Sequence, residues 1–316
     1  LEASATGSLM PHTTWQLAHG KSLDLTEPKV VAILNITPDS FADGGQYNTP
    51  AKAIERARQC AEEGAQVLEV GGESTRPGAD RISAEEQLAR ILPVIEGIRR
   101  ELPEILISVD TTRSAVAKRA IEAGAHIIND VSAGQEDEAI LTLGAKTGAG
   151  LVLMHRLRPP GEDSFSDQYA SAPEYTDVVG IVRTYLEDRV QAAVARGVRE
   201  DAVVIDPGLG FGKSVEQNLE LIRRTAELCS IGRAVMSAAS RKSFIGRVGL
   251  GRGVFPDLNS DWDARRAGCR LMLTQEASGS GLVMAFGHWR MDDPNTDRDT
   301  DGRDIRHRGV GRSGLG

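Results

Sequence analysis

The chain has 316 residues, 40% of them hydrophobic, and carries 45 Asp+Glu against 37 Lys+Arg for a net charge of −8. That is enough chain to bury a substantial core in one large domain or two small ones. The acidic balance argues against a general nucleic-acid binder, which shows a basic face, but leaves room for an anionic small molecule held by a few local cations.

In chain order, Leu1–Leu9 shows no basic stretch followed by an apolar core, so no signal peptide is expected, and Met10 is a candidate natural start. Thr13–Asp24 predicts a short hairpin. Short apolar runs then alternate with helical patterns. Val30–Leu34 precedes a helix over Ala51–Glu63 that stops at Gly64. Val67–Val70 precedes a helix over Ala84–Glu101, with Ser83 as N-cap and Glu86 three residues on. Ile105–Val109 leads to Ser114–Ala123, His126–Ile128 to Glu138–Lys146, and Leu151–Met154 to a long helix over Asp177–Arg196. Val203–Ile205 leads to Val215–Leu228; Ala234–Met236 is a seventh run and Leu282–Ala285 a weaker eighth.

Eight such runs predict βα units on a parallel sheet, and their number favours an α/β (β/α)8 TIM barrel over an open doubly wound sheet. The expected organisation is residues 1–27 as an extension and hairpin capping the barrel's bottom, 28–291 as the barrel, and 292–316 as a polar tail. The tail is rich in Asp, Arg and Gly, a composition that predicts disorder. No run approaches the ~18 apolar residues of a membrane span. Cys60, Cys229 and Cys269 stand far apart without CxxC or metal spacing, the pattern of a reduced cytoplasmic protein.

Polar residues follow almost every apolar run. Asn35 follows the first, Gly71–Gly78 the second, Asp110 the third, Asn129 and Asp130 the fourth, and His155 the fifth. Asp206–Lys213 follows the sixth and Ser240, Arg241 and Lys242 the seventh. In a (β/α)8 barrel these positions ring the C-terminal face, where catalytic groups sit. Asp110, Asn129 and Asp206 offer acceptors to a flat, nitrogen-rich heterocycle, whose amidine-like edge matches a carboxylate bidentately. Arg76, Arg241 and Lys242 supply cations for an anionic partner. The competing role for Asp110 and Asp206 is a helix N-cap, for Asn35 a turn before Pro38, for Arg76 a solvated loop charge, for Phe211 plain core, and for His155 a hydrogen-bonded structural group.

The ordered strings Asn35–Gly45, Gly72–Ala79, Ser108–Thr111, Ile128–Val131, Met154-His155, Asp206–Lys213 and Ser240–Phe244 resemble the successive motifs of the dihydropteroate synthases, covering roughly Val30 to Gly246. That resemblance implies the joining of a pterin pyrophosphate to p-aminobenzoate in folate biosynthesis, by a dissociative, SN1-like path. It implies pterin contacts from Asp110, Asn129, Met154, Asp206, Gly212 and Lys242, with Asp110, Arg76 and Lys242 catalytic. A p-aminobenzoate pocket would be lined by Thr75, Arg76, Pro77, Phe211 and Ser240. Pyrophosphate would meet Asn35, Thr75 and Arg76, with Asn35 on a Mg2+ ion. The loops Thr37–Gly45 and Glu73–Ala79 resemble the family's two mobile active-site loops. The resemblance further implies a cytoplasmic homodimer acting on small molecules, with sulfonamides as possible inhibitors, and neither nucleic acid nor membrane as partner.

After Gly246 the family continues to a strand closing in Arg-Val-His, which is absent here. His288 and Arg290 follow the eighth run in the opposite order and are the candidates for that pyrophosphate contact. A diverged C-terminus and a shifted reading frame both fit. The loop Arg156–Pro173 is longer than the family's. Two other functions compete: a pterin-dependent methyltransferase, which has no need of Ser240-Arg241-Lys242, and a pterin-binding protein whose altered eighth unit impairs catalysis.

Overall fold

The computed structural model describes residues 13–37, 49–240, 242–250 and 282–287, the last of these as a backbone path. The sequence patterns become two sheets. β1 (Thr14–Gln16) and β2 (Ser22–Asp24) form the expected antiparallel hairpin, with Trp15 opposite Leu23. The other strands are β3 (Lys29–Asn35), β4 (Val67–Gly71), β5 (Leu106–Asp110), β6 (Ile127–Asp130), β7 (Gly150–Met154), β8 (Val203–Asp206), β9 (Ala234–Ser237) and β10 (Leu282–Gly287). They close in chain order into one parallel barrel, β10 completing it between β9 and β3. The eighth unit therefore supplies its strand, at the run the sequence marks as weakest.

Helices return the chain outside the barrel: α1 (Pro50–Glu62), α2 (Ala84–Glu101), α3 (Ser114–Glu122), α4 (Ala139–Thr147), α5 (Val178–Ala195), α6 (Val215–Arg223), α7 (Thr225–Cys229) and α8 (Ser243–Leu250). Local chemistry fixes several starts. Ser83 accepts the Glu86 N–H at 3.1 Å as expected, and Ser214 with Gln217 forms a reciprocal capping box. The single helix expected over Val215–Leu228 is broken in two. The Thr225 hydroxyl bonds back to the Leu221 and Ile222 carbonyls, both at 2.9 Å, and competes with the backbone ladder there. Gly97 lets α1 and α2 touch, because a Cβ on it would lie 2.1 Å from Ile54 Cδ1. No helix among the described residues is long and apolar enough to cross a membrane.

Two apolar layers hold this frame. One lies between strands and helices; the other fills the barrel with Val31, Val67, Leu106, Ile127, Val152, Val204, Ala234 and Met236. Trp15, Leu17 and Leu25 of the hairpin seal that inner layer from below. Trp15 is 1% exposed and its indole Nε1 donates to Ala202 O at 2.9 Å. The interior is thus apolar and closed at the bottom, so polar groups at its top face a blind cup. Trp15→Ala should cost about 3–5 kcal/mol in chemical unfolding through lost burial and the cavity left. Trp15→Phe should cost about 1–3 kcal/mol, since Ala202 O is left unpaired; equal losses in the two variants would contradict this division.

Candidate functional site

Parallel register assembles the ring at the strand ends. Asn35 pairs with Gly71, Gly71 with Asp110, and Asp110 with Asn129, while Met154 pairs with Asp206. Asn35, Gly71, Asp110, Met154 and Asp206 are the last residues of their strands and Asn129 the last but one, so the sheet itself fixes their backbones. Gly71 leaves the second position bare. A Cβ there would lie 3.5 Å from Asn35 Oδ1 and 3.6 Å from Asp110 Cβ, so those two side chains flank the gap. Neither aspartate caps a helix: α3 is entered through Arg113 and α6 through Ser214. Asp206 instead uses Oδ1 to accept the Gly208 N–H at 2.6 Å, folding the glycine-rich turn beneath itself.

One layer below the ring is a residue that sequence reading passed over. Glu69, on β4 and 4% exposed, accepts from Ser108 Oγ at 3.2 Å and from Asn129 Nδ2 at 3.0 Å. That bond fixes which way the Asn129 amide points. Its Oδ1, buried in a residue 7% exposed, has no partner in the protein. A buried, unpaired acceptor is costly unless a donor arrives.

Desolvation dominates the electrostatics. Burial pushes Glu69 up to about 7, against its two hydrogen bonds, and Asp206 raises it further. Burial lifts Asp206 to about 6, with the Gly208 N–H, Lys242 and Lys213 pulling the other way. Asp110 stands well above the usual carboxylate range, from burial and then from the charges of Glu69, Asp130 and Glu73. Lys242 is lowered to about 8 by burial, although Asp206, Asp110 and Asp163 hold its proton. Its ammonium lies 4.0 Å from the Phe211 ring centroid, a cation–π contact at the mouth of the cup. Phe211 packs with Met154 and Val131 in a small apolar cluster of its own.

The glycine-rich turn is braced from within. Lys213, fully buried, donates to Gly208 O at 2.9 Å, Phe211 O at 2.8 Å and His155 Nδ1 at 3.0 Å. All three ammonium hydrogens are satisfied. His155, buried and beside that ammonium, is lowered to about 2 and stays a neutral acceptor, the structural role. Asp130 likewise folds its own loop, accepting the Ser132 and Gly134 N–H groups at 2.8 and 2.6 Å. Gly212 differs from expectation. Its N–H goes to Asp163 and its carbonyl to Tyr175, and a Cβ on it would meet Leu157 at 2.3 Å. It shapes the loop, its N–H already engaged and its carbonyl keeping one lone pair.

The second wall is the loop after β4. Thr75 and Pro77 are half-buried, and the Arg76 side chain is exposed with no ion-pair partner among the described residues. Arg81, from the same loop, pairs with Glu73 and Glu136, and Arg156 closes the network on Glu136. Ser240 is half-buried in the turn before α8. The structure thus brings together Asn35, Thr75, Pro77, Asp110, Asn129, Met154, Asp206, Phe211 and Lys242 around one barrel end, with Arg76 at its rim. His288, Arg290, Arg241, Gly44, Gly45 and the tail lie outside the described residues.

A family model described as pterin binding enzyme matches residues 31–286. A dihydropteroate synthase of Synechocystis is 41% identical over 220 residues, 69% of this chain and 73% of that protein. The Escherichia coli dihydropteroate synthase is 40% identical over 231 residues, 73% of this chain and 79% of its own length. Among solved structures, Xanthomonas albilineans dihydropteroate synthase with 4-aminobenzoic acid superposes with a TM-score of 0.75 at 36% identity, covering 86% of this chain and 93% of that one. The same enzyme with 7,8-dihydropteroate gives a TM-score of 0.70 at 34% identity, covering 85% and 92%.

Glu69 carries a testable signature. Its carboxyl rises from 4.5 to about 7 on folding, so between those values the folded state holds the proton more tightly than the unfolded chain. The stability from its neutral form is complete below the lower value and is lost as pH climbs to the upper one. Glu69→Gln should remove that fall, so its urea-derived stability should gain on wild type by on the order of 2–3 kcal/mol from about pH 5 to about pH 8. Parallel stability profiles would contradict it.

Proposed function

Because this chain belongs to the dihydropteroate synthases, within the pterin-binding enzymes, we propose that its strand-end ring holds the pterin, its two loop walls hold p-aminobenzoate, and the rim holds pyrophosphate. The reaction is a transfer. It condenses 6-hydroxymethyl-7,8-dihydropterin pyrophosphate with p-aminobenzoate, giving 7,8-dihydropteroate and pyrophosphate.

The observation that carries the site reading is the unpaired Asn129 Oδ1, buried, as Asp206 is, at the C-terminal end of the barrel strands. A pterin edge supplies the missing donors: its exocyclic amino group and adjacent ring N–H. Asp206, ionised, accepts two of them; Asn129 takes the next, and Asp110 faces the far ring. Lys242 donates to the ring carbonyl and nitrogen, and Met154 forms the apolar wall. Thr75 and Pro77 face Phe211 across the p-aminobenzoate ring, with its carboxylate toward Ser240.

The bond between the pterin methylene carbon and the pyrophosphate oxygen breaks first, its electron pair leaving with pyrophosphate. The Asp206 carboxylate and the Asp110 carboxyl group favour the positive charge left on the methylene-pterin. The arylamine nitrogen then attacks that carbon and loses a proton. No side-chain nucleophile is required, and the protein contributes positioning and preorganised charge. Arg76 and Thr75 meet the departing pyrophosphate. Asn35, an oxygen donor at the open rim beside Asp110, suits a hard cation that keeps most of its waters. Among the described residues no three His, Cys, Asp or Glu side chains are arranged as a metal site. A Mg2+ ion would therefore rest on Asn35, water and pyrophosphate, and when bound it neutralises phosphate charge. We further read the protein as a cytoplasmic homodimer, which sedimentation of the full chain and localisation in cells would check.

Two measurements test this reading. Pyrophosphate release should require pterin pyrophosphate, p-aminobenzoate and Mg2+ together; tight pterin binding without turnover would favour the binding protein instead. Asp206→Asn should weaken pterin binding by on the order of 2–3 kcal/mol, since a charged, buried acceptor is lost. An unchanged dissociation constant in calorimetry would contradict the assignment.

A further inference from the structure

The loop between β7 and α5 is tied to both walls of the cup. The carbonyl of Pro160 accepts the Gly78 N–H at 2.9 Å, from the Thr75–Gly78 wall. Three residues on, Asp163 Oδ2 accepts the Gly212 N–H at 2.7 Å, from the Phe211 wall. A 3-10 turn over Pro160–Glu162 separates these two anchors, and the Asp163 N–H closes it on Pro160 O at 3.2 Å. Asp163 is 8% exposed. Its other oxygen accepts from the Ser164 N–H at 2.9 Å and from the Tyr169 hydroxyl. Tyr175 adds a bond to Gly212 O at 3.0 Å. Further along, Pro173 O accepts from Gln217 Nε2 at 2.7 Å, and Ser166 Oγ accepts from Asn218 Nδ2 at 3.0 Å, fastening the loop to α6.

We propose that the Pro160–Asp163 turn is the spacer that sets the width of the p-aminobenzoate pocket, with Asp163 the positioning residue that holds the Phe211 wall. The inference rests on the reading of that pocket given above. The peptide between Phe211 and Gly212 is held at both ends. Its carbonyl is bound by Lys213 Nζ at 2.8 Å and its N–H by Asp163. Freeing one end lets the plane of this peptide rotate and carries the Phe211 ring with it. The Asp206 turn has its own bond to Gly208 N–H, and Asn129 its own bond to Glu69. The pterin acceptors therefore do not depend on Asp163. Asp163 reaches the pterin side only as the third of three carboxylates whose charge supports the Lys242 proton, so the effect of losing it falls chiefly on one substrate, which a general loosening of the fold does not do.

The test compares Asp163→Ala, Asp163→Asn and Phe211→Ala in the full chain, reading KM for p-aminobenzoate in steady state and the pterin pyrophosphate dissociation constant by calorimetry. Asp163→Ala should raise KM about tenfold while the pterin constant stays within about twofold, and Asp163→Asn, which keeps an acceptor oxygen, should return KM to within about threefold of wild type. Intact pterin binding also reports a folded barrel. A raised KM in Phe211→Ala with none in Asp163→Ala overturns the spacer and leaves the pocket standing. Unchanged KM in both overturns the pocket and the spacer together. Equal weakening of both substrates in Asp163→Ala, or its failure to fold while Asp163→Asn shows the alanine-like KM, overturns the positioning role.

Discussion

The removal of carboxylates from water at one end of a sealed barrel is the constraint on which the rest of the structure depends. Glu69 and Asp206 are lifted to about 7 and about 6, and Asp110 rises with them, chiefly because burial disfavours their charged forms. Lys213, fully buried, and Lys242, half-buried, are lowered for the same reason. Acids and bases thus sit close together at this end of the barrel, with burial disfavouring the charged form of each. In the proposed complex, a ligand edge with several N–H donors relieves that condition at Asp206 and Asn129 at once. The cost is borne by the hydrophobic layers below, where the hairpin closes the barrel around Trp15.

Position in the barrel and chemical role run in parallel. The floor is apolar, the next layer holds Glu69 and Ser108, and the strand ends hold Asp110, Asn129 and Asp206. Above them the walls come from loops remote in sequence, fastened by backbone bonds such as those at Gly78 and Gly212. On the proposed reading, rigid strands fix the acceptors for one substrate, braced loops fix the pocket of the other, and the exposed Arg76 at the rim faces an anion.

Much of this was legible in the sequence, because a parallel strand buried on both faces is an apolar run and its end is a polar residue. The strand order, the hairpin, the Ser83 cap and the ring from Asn35 to Lys242 followed from that pattern and from the resemblance it carries. Glu69 was not legible. It sits inside an apolar run, two positions before Gly71, and nothing local distinguishes an inward carboxyl from a solvated one. Lys213 looked like the end of a glycine-rich motif, while its role depends on carbonyls from two loops. Asp163 lay in a loop with no periodic signal, and its partner Gly212 is 49 residues away. The break at Arg224 was hidden because Thr225 disrupts the helix through its hydroxyl and not through its hydropathy.

The central proposal is that the pterin is held by a buried carboxylate whose charged form burial disfavours, and proton linkage tests it most directly. Calorimetric titration with pterin pyrophosphate, in buffers of differing ionisation enthalpy, counts the protons exchanged on binding. Burial lifts Asp206 to about 6, and its carboxylate must be ionised to accept the pterin edge. The account predicts net proton release near about pH 6, fading by about pH 8 and absent in Asp206→Asn. Net uptake near pH 6, or release that survives in Asp206→Asn, would contradict it.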